Sequence, residues 1–579
     1  MIGARRKNQI AIEVLEQRLQ SEGVLNYNLS TEDIERSPMR NYFRGKTVFL
    51  TGGTGFLGQL LLEKLLRCEV HMIYLLARTK KNKTSHERLD ELFEQTQFAK
   101  LRREYPNYRN HVSIIEGDMS IIGLGISDTH RQLLAETVEI VLHAAAEVRF
   151  NDSLHKLVTI NLRGTRQMLQ LAESFKKLQV FHYVSTAFSN CKPNCQVVKE
   201  DFCEPPLEPD ILIAYAEKFN NTATDLDIFD TITARMIGEW PNTYTFSKCL
   251  SEELVRRSAA KFPTCVSRPS IVISTNREPI PGWINNVYGI TGGIFALAAG
   301  LSRLLPIYPH KHIDIICADF TINAILAATW SLHQDVVAHK NLINSTNALK
   351  EQSTVAAITE VSANAPSPKV FAIVSSSYLP VQAMTTETLS HYLSNPLERH
   401  LWVLCPNLVG NKLLFRYLSI YYHLIGTLCL DLGLKILRRK ERILPWVRKT
   451  QVFLNAVAYF IHYEWIFENT NMRAVWDRMD PIDHKIFLCD TRLFDYNKWC
   501  YTYMQGMKYF ICDDQLENPK SAAVSYRRRQ MVHSVFKYLF YVSQAVLIYA
   551  VIRGFGLHEV FMKLISIRFG FGNSPTNVT

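Results

Sequence analysis

Six short apolar runs, Thr47–Leu50, Met72–Leu76, Val112–Ile115, Val138–Leu142, Val180–Ser185 and Thr264–Ser267, alternate along the chain with stretches patterned at helical spacing. Strands that recur between helices, rather than in hairpin pairs, predict parallel pairing with helices on both faces of a sheet. The expected fold is α/β, a doubly wound Rossmann-type parallel sheet. From about Leu401 the pattern turns aromatic and helical, which predicts a mainly helical second domain. The reading divides the chain into an arm (1–40), the sheet domain (41–400, with a Ser-, Ala- and Thr-rich surface insertion near 345–369), the helical domain (401–520) and a tail (521–579).

Two later segments bear on solvent. Lys412–Arg442 mixes apolar and basic residues and reads as a core helical pair or an interfacial one, the interfacial reading being preferred. Tyr538–Ile552 runs fifteen residues without a charge, preceded by Arg527, Arg528 and Arg529 and closed by Arg553. That is short of the ~20 residues that span a bilayer, and extension back to Val535, past Lys537, brings it near the lower limit. A membrane anchor is expected, with a buried core helix as the alternative, and Leu557–Phe571 is expected to lie in the interface.

The turn after the first apolar run carries the chemistry. In KTVFLTGGTGFLG, Lys46–Gly58, a strand pattern leads directly into Gly52, Gly55 and Gly58 and then into the helix pattern FLGQLLLEKLL. A strand that turns sharply into a helix needs glycine for positive φ, for backbone approach to a pyrophosphate and for helix–strand packing. The helix N-terminus then offers free amides to phosphate. The predicted dinucleotide loop is Thr51, Gly52, Gly53, Thr54, Gly55, Phe56, Leu57 and Gly58. The second strand ends in Arg78, followed by Lys80 and Lys81, where an NAD site usually places a carboxylate. A guanidinium there suits the 2′-phosphate of NADPH.

Tyr244 and Lys248 lie four apart in a helical pattern, so both side chains share one face. An ammonium beside a phenol favours its ionisation and makes it a usable acid. Val180–Thr186 reads as a buried strand ending in the hydroxyls of Ser185 and Thr186, and Asn161 opens NLRGTRQMLQLA within a helix pattern.

TGGTGFLG, HAAAEVRFND (His143–Asp152), NLRGT (Asn161–Thr165), VSTAFSN (Val184–Asn190), YTFSK (Tyr244–Lys248), RPSIV (Arg268–Val272) and PGWINNVYG (Pro281–Gly289) together resemble, in order, an extended short-chain dehydrogenase/reductase. More narrowly they resemble the fatty acyl-CoA reductase family, whose following helical domain WIFENTN (Trp465–Asn471) also resembles. Coverage runs from about Asn41 to about Asp513. The resemblance implies a catalytic set of Tyr244, Lys248, Asn161 and Thr186, with Ser185 as the second hydroxyl candidate. It implies pyrophosphate contacts from the glycines, Arg78 on the 2′-phosphate, Asp118 on the adenine, and Ala144, Pro269 and Ser270 beside the cofactor. It also implies reduction of long-chain acyl-CoA to a primary alcohol with two NADPH. Departures fall at Cys317-Ala318-Asp319, at Ala299–Leu305 and at Ile373–Val381, and leave the chemical residues intact.

Composition narrows the partners. In 579 residues, 65 Lys and Arg against 54 Asp and Glu give a net charge of +11, which favours anionic partners such as NADPH, CoA phosphates or a membrane surface. The basic residues are dispersed with no zinc-finger or helix-turn-helix signature, so nucleic acid is not expected. Twelve cysteines without regular spacing read as reduced thiols, and Cys191, Cys195 and Cys203 lack zinc spacing, so no metal is expected. The N-terminal twenty residues look like an amphipathic helix or a loose arm rather than a signal peptide. With the triple Arg on the catalytic side, the positive-inside rule places the reductase domain in the cytosol, on the endoplasmic reticulum first and the peroxisomal membrane second. A homodimer is left open. Rival readings are another membrane-associated NADP-dependent reductase of steroids or lipids, a nucleotide-sugar enzyme, and an inactive NADP-binding scaffold.

Overall fold

The computed structural model describes residues 17, 30–79, 82–219, 223–352, 367–375, 380–394, 396–397, 403–436, 438–439, 442–514 and 520–554. The rest of the N-terminal twenty residues and Leu557–Phe571 lie outside these.

Seven strands form one parallel sheet: β1 (Thr47–Thr51), β2 (Met72–Ala77), β3 (Val112–Glu116), β4 (Ile140–His143), β5 (Val180–Val184), β6 (Thr264–Pro269) and β7 (Lys369–Ile373). Their order is β7-β6-β5-β4-β1-β2-β3, with every neighbouring pair parallel. Every residue of β1, β4, β5 and β6 is buried, because helices cover both faces. The order reverses between β1 and β4, so their carboxyl ends, Thr51 opposite His143, open a crevice.

β7 was not among the strands anticipated from the apolar runs. Its five residues pair from Lys369 opposite Cys265 to Ile373 opposite Pro269. The segment just before it divides differently from a simple surface insertion: Ser345–Gln352 continues the long helix Ala318–Gln352, Lys369 opens β7, and 353–366 lie outside the described residues.

The end of the expected arm folds onto the body. Ser30 and Ser37 cap the short helices Thr31–Arg36 and Pro38–Phe43, and Met39 and Phe43 are fully buried. The Asp483 carboxylate of the helical region accepts the Ser37 hydroxyl and the Met39 amide. That region also docks on the sheet domain through Ile466–Phe467, which pairs with Val197–Val198, and through a backbone contact of two glycines. Gly282 has a φ of +70°, and a Cβ on it would lie 2.2 Å from the Thr502 carbonyl oxygen; one on Gly506 would lie 1.8 Å from the Gly282 oxygen.

Among the described residues, two helices are long and apolar enough to cross a membrane, Lys412–Ile436 and Val524–Gly554. The uncharged Tyr538–Ile552 run lies in the second, and its large apolar side chains, among them Tyr538, Leu539 and Val546, are exposed. A core helix would bury them. The first helix likewise exposes Leu413, Ile420, Leu424 and Ile425. The two helices touch: the Tyr421 hydroxyl is 2.7 Å from the Ser543 hydroxyl, and its ring centroid is 4.5 Å from that of Phe540.

The glycine contact gives a direct test of how the helical region is seated. Gly506→Ala forces a methyl into the Gly282 carbonyl, and a loss of stability on the order of 2–3 kcal/mol is expected, read as a lower urea midpoint for the detergent-solubilised protein. An unchanged midpoint would show that the two regions are not seated through this contact.

Candidate active site

β1 ends at Thr51 and the chain turns through Gly52, with φ +75°, into helix α1 (Phe56–Arg67). A Cβ on Gly52 would stand 2.7 Å from the Ala145 amide nitrogen, and one on Gly58 would stand 2.1 Å from the Gly52 oxygen. Only glycine permits this approach of turn, helix and the β4 end, and Gly53 is similarly closed in by Leu75. The Gly55 amide closes the turn on the Gly52 carbonyl at 2.8 Å, and no side chain caps α1. The first amides of α1 are therefore left for an anion, with Thr54 beside them. Phe56 stacks on Trp283 and Leu57 packs against the core.

The polar floor of the crevice is continuous. The Thr51 hydroxyl lies 2.6 Å from His143 Nδ1, and His143 Nε2 lies 3.0 Å from the Thr165 hydroxyl. Burial, reinforced by the nearby Lys248 charge, pushes the His143 pKa down to about 3, so this is a neutral imidazole between two hydroxyls. Thr51 also accepts the Ala145 amide, and the Ala144 amide bonds the Thr51 carbonyl, which fixes the wall opposite the glycines.

At the end of β2, Arg78 Nη1 is 2.7 Å from Asp118 Oδ2. Burial alone would raise the Asp118 pKa, but the Ser120 amide and hydroxyl and the Arg78 guanidinium hold it below the usual carboxylate value. A second guanidinium, Arg88, bonds the Arg78 carbonyl and the Thr54 hydroxyl. Arg88 is absent from the sequence-derived set because it lies on the next helix; its signal is the Thr84–Glu87 capping box, which starts that helix at Ser85, three residues before it. Arg88 at the glycine turn and Arg78 next to it fit a dinucleotide with an extra phosphate.

Helix α2 (Thr243–Ser258), capped by Asn242, carries Tyr244 and Lys248. Tyr244 is partly buried, and loss of solvent around its phenol raises its pKa, while a hydrogen bond with the Thr186 side chain opposes the rise. Lys248 Nζ donates to the Tyr183 hydroxyl at 3.1 Å and to the Val184 carbonyl at 2.7 Å; burial lowers its pKa to about 7, against the opposing charge of Glu252. Asn161 sits in a wide turn of helix, its amide donating to the Glu147 carbonyl and the Ser247 hydroxyl and its side-chain oxygen accepting the Glu147 amide. The two hydroxyl candidates separate. Ser185 donates to Glu252 at 2.5 Å, away from Tyr244, while Thr186 faces it. Pro269 and Ser270 lie at the end of β6, where the Ser270 amide bonds the Ile373 carbonyl. Aromatic rings wall the space beside Tyr244: Phe150 lies 5.8 Å from it and 5.3 Å from Phe460, which contacts Phe188.

Residues 50–325 match the NAD-binding family model described as "Male sterility protein", and residues 422–514 match the Sterile model, which carries the same description. "Fatty acyl-CoA reductase wat" of Drosophila melanogaster is 32% identical over 530 residues, 90% of this chain and 95% of its own. The chain belongs to the fatty acyl-CoA reductase family. "Fatty acyl-CoA reductase 1" of Homo sapiens is 30% identical, covering 83% of this chain and 87% of its own. Among solved structures, the terminal R domain from the myxalamid PKS-NRPS biosynthetic pathway matches with a TM-score of 0.53 at 15% identity, over 82% of this chain and 93% of that one, a likeness of fold. This member of the family is therefore an oxidoreductase with a nicotinamide cofactor, and its basic pair at the glycine turn agrees with NADPH.

The pair makes the cofactor preference testable. Arg78→Ala and Arg88→Ala should each raise the KM for NADPH about tenfold or more while changing that for NADH little, because only NADPH carries the 2′-phosphate. Equal weakening of both cofactors would make the two arginines structural.

Proposed function

We propose that this fatty acyl-CoA reductase family member converts long-chain acyl-CoA to the primary alcohol with two NADPH, through an aldehyde that stays bound. The observation that carries the reading is the Tyr244–Thr186 pair, set at the end of β5 beside the glycine cradle and walled by Phe150, Phe188 and Phe460. An apolar wall suits a substrate whose bulk is hydrocarbon.

The cradle residues Gly52, Gly55 and Gly58 with the α1 amides would hold the pyrophosphate, Arg78 and Arg88 the 2′-phosphate, and Ala144, Pro269 and Ser270 would flank the cofactor. When bound, NADPH supplies the hydride for each reduction. Tyr244, kept protonated by desolvation, donates its proton to the thioester carbonyl oxygen while the Thr186 hydroxyl bonds the same oxygen. Lys248, one helical turn away, stabilises the phenolate that forms. The hemithioacetal returns its hydroxyl proton to Tyr244 as the C–S bond breaks, CoA leaves as thiolate, and the aldehyde remains. In the second reduction Tyr244 protonates the aldehyde oxygen to give the alcohol, and is itself reprotonated from solvent past Lys248. Asn161 holds the Glu147 backbone and the Ser247 side of α2 in register, a positioning role.

The two apolar helices support membrane attachment, and the endoplasmic reticulum with a cytosolic reductase domain is the proposed location.

Membranes bearing the protein, incubated with NADPH and a ladder of acyl-CoAs, should form alcohols; Tyr244→Phe should cut this at least about a hundredfold with NADPH affinity kept. Near-normal turnover in that variant would remove Tyr244 from the mechanism. Truncation after Pro519 tests the tail. A folded, soluble, active product supports an anchor, whereas an aggregated one supports a packed core helix. Residual binding released by high salt assigns a second contact to Lys412–Ile436.

A further inference from the structure

The segment ITGGIFALA, Ile290–Ala298, forms a helix, and Ile290, Gly293, Ile294 and Leu297 fall at the spacing of a single stripe. That stripe faces the helices Val381–Ser394 and Leu444–His462 across an apolar cavity of about 60 Å³, small beside the ~300–1,000 Å³ usual for whole-ligand sites and of a size for the end of a ligand. The lining carries no charged side chain. Its two hydroxyls have partners in the protein, Thr385 donating to the Val381 carbonyl and Thr388 to Cys500. Such a space has nothing to offer a polar group and fits an alkyl chain.

Its position relative to the chemistry is defined by one residue. Ile313 lines this cavity and also a wider, partly polar space bounded by Phe188, Phe460, Lys311 and His312. Phe460 touches Phe150, and Phe150 touches Tyr244. The two spaces thus share Ile313 as a wall, and the wider one is bounded by the aromatic rings that reach Tyr244.

Gly293 is the unusual member of the lining. A Cβ built on it meets no atom within 4 Å, in contrast to the closed approach at Gly506. Its φ is not in the left-handed region, so neither packing nor backbone conformation demands glycine there. A mid-helix glycine nevertheless costs about 1 kcal/mol relative to alanine. What the glycine preserves is room.

We propose that this cavity receives the far end of the acyl chain, and that Gly293 sets the length of chain that fits; the inference rests on the acyl-CoA reading above. The experiment uses the full-length protein in membranes, with Gly293→Ala, Gly293→Leu, Gly293→Phe and, to enlarge the opposite wall, Met384→Ala, each assayed on saturated acyl-CoAs from medium to very long. Growing bulk at 293 should move the kcat/KM optimum stepwise to shorter chains, with at least about a tenfold loss on the longest and little change on the shortest, while Met384→Ala moves it to longer ones. NADPH affinity and melting temperature check each fold, and the alanine variants remain decisive should Gly293→Phe not fold. A ladder profile that keeps its shape in every folded variant, or falls uniformly, overturns the inference and leaves the reductase reading standing. A wild-type protein that reduces no acyl-CoA overturns both.

Discussion

The Glu252 carboxylate and the Arg268 guanidinium meet at 2.6 Å with only 3% and 1% of their side chains exposed, and the geometry around Tyr244 depends on them. Arg268 projects from β6, and its remaining donors reach the carbonyls of Lys199 and Asp201. Glu252 projects from α2, one turn beyond Lys248, and accepts the hydroxyls of Ser185 and Ser189. One ion pair therefore ties together the helix that carries Tyr244 and Lys248, the strand end that carries Thr186, and the loop that follows. Such a pair gains little net stability over apolar residues of the same volume, but removing one partner leaves a buried charge and costs about 3–5 kcal/mol. Its contribution here is placement.

The same pair explains why Thr186, rather than Ser185, is left facing Tyr244. Both hydroxyls follow the same strand in extended chain, where alternation sends successive side chains in opposite directions. Ser185 goes to the Glu252 side, and Thr186 goes to the phenol.

The sheet was legible in the sequence because buried parallel strands are nearly pure apolar runs, and six of the seven stood out between helical patterns. β7 was not, since its short run follows a Ser- and Ala-rich stretch and pairs with a strand about a hundred residues earlier, a contact no local pattern announces. The glycine turn and the Tyr–Lys spacing were legible because backbone conformation and helical periodicity tie these residues to fixed offsets. Arg88 and Phe150 were not singled out, because each joins the site from an element remote in sequence, and Glu252, although on α2 itself, is marked only by its pairing with Arg268 on β6. Helix Thr31–Arg36 and the start of Pro38–Phe43 fell within the expected arm because their anchor, Asp483, lies far along the chain.

Helix Leu444–His462 shows how the second region serves the first. Leu454 and Val457 line the apolar cavity, Phe460 belongs to the aromatic wall near Tyr244, and Val447, Gln451 and His462 border a groove shared with Phe415 and Leu424 of the exposed apolar helix Lys412–Ile436. Three environments share one cylinder, and its polar residues Arg448, Gln451, Asn455 and His462 fall on one stripe at helical spacing. The arrangement sets the reacting centre, the hydrocarbon space and the lipid-compatible surface within a single helix of one another. An amphiphile entering from a bilayer can then keep its tail among apolar side chains while its headgroup stays at the polar opening beside Lys311 and His312.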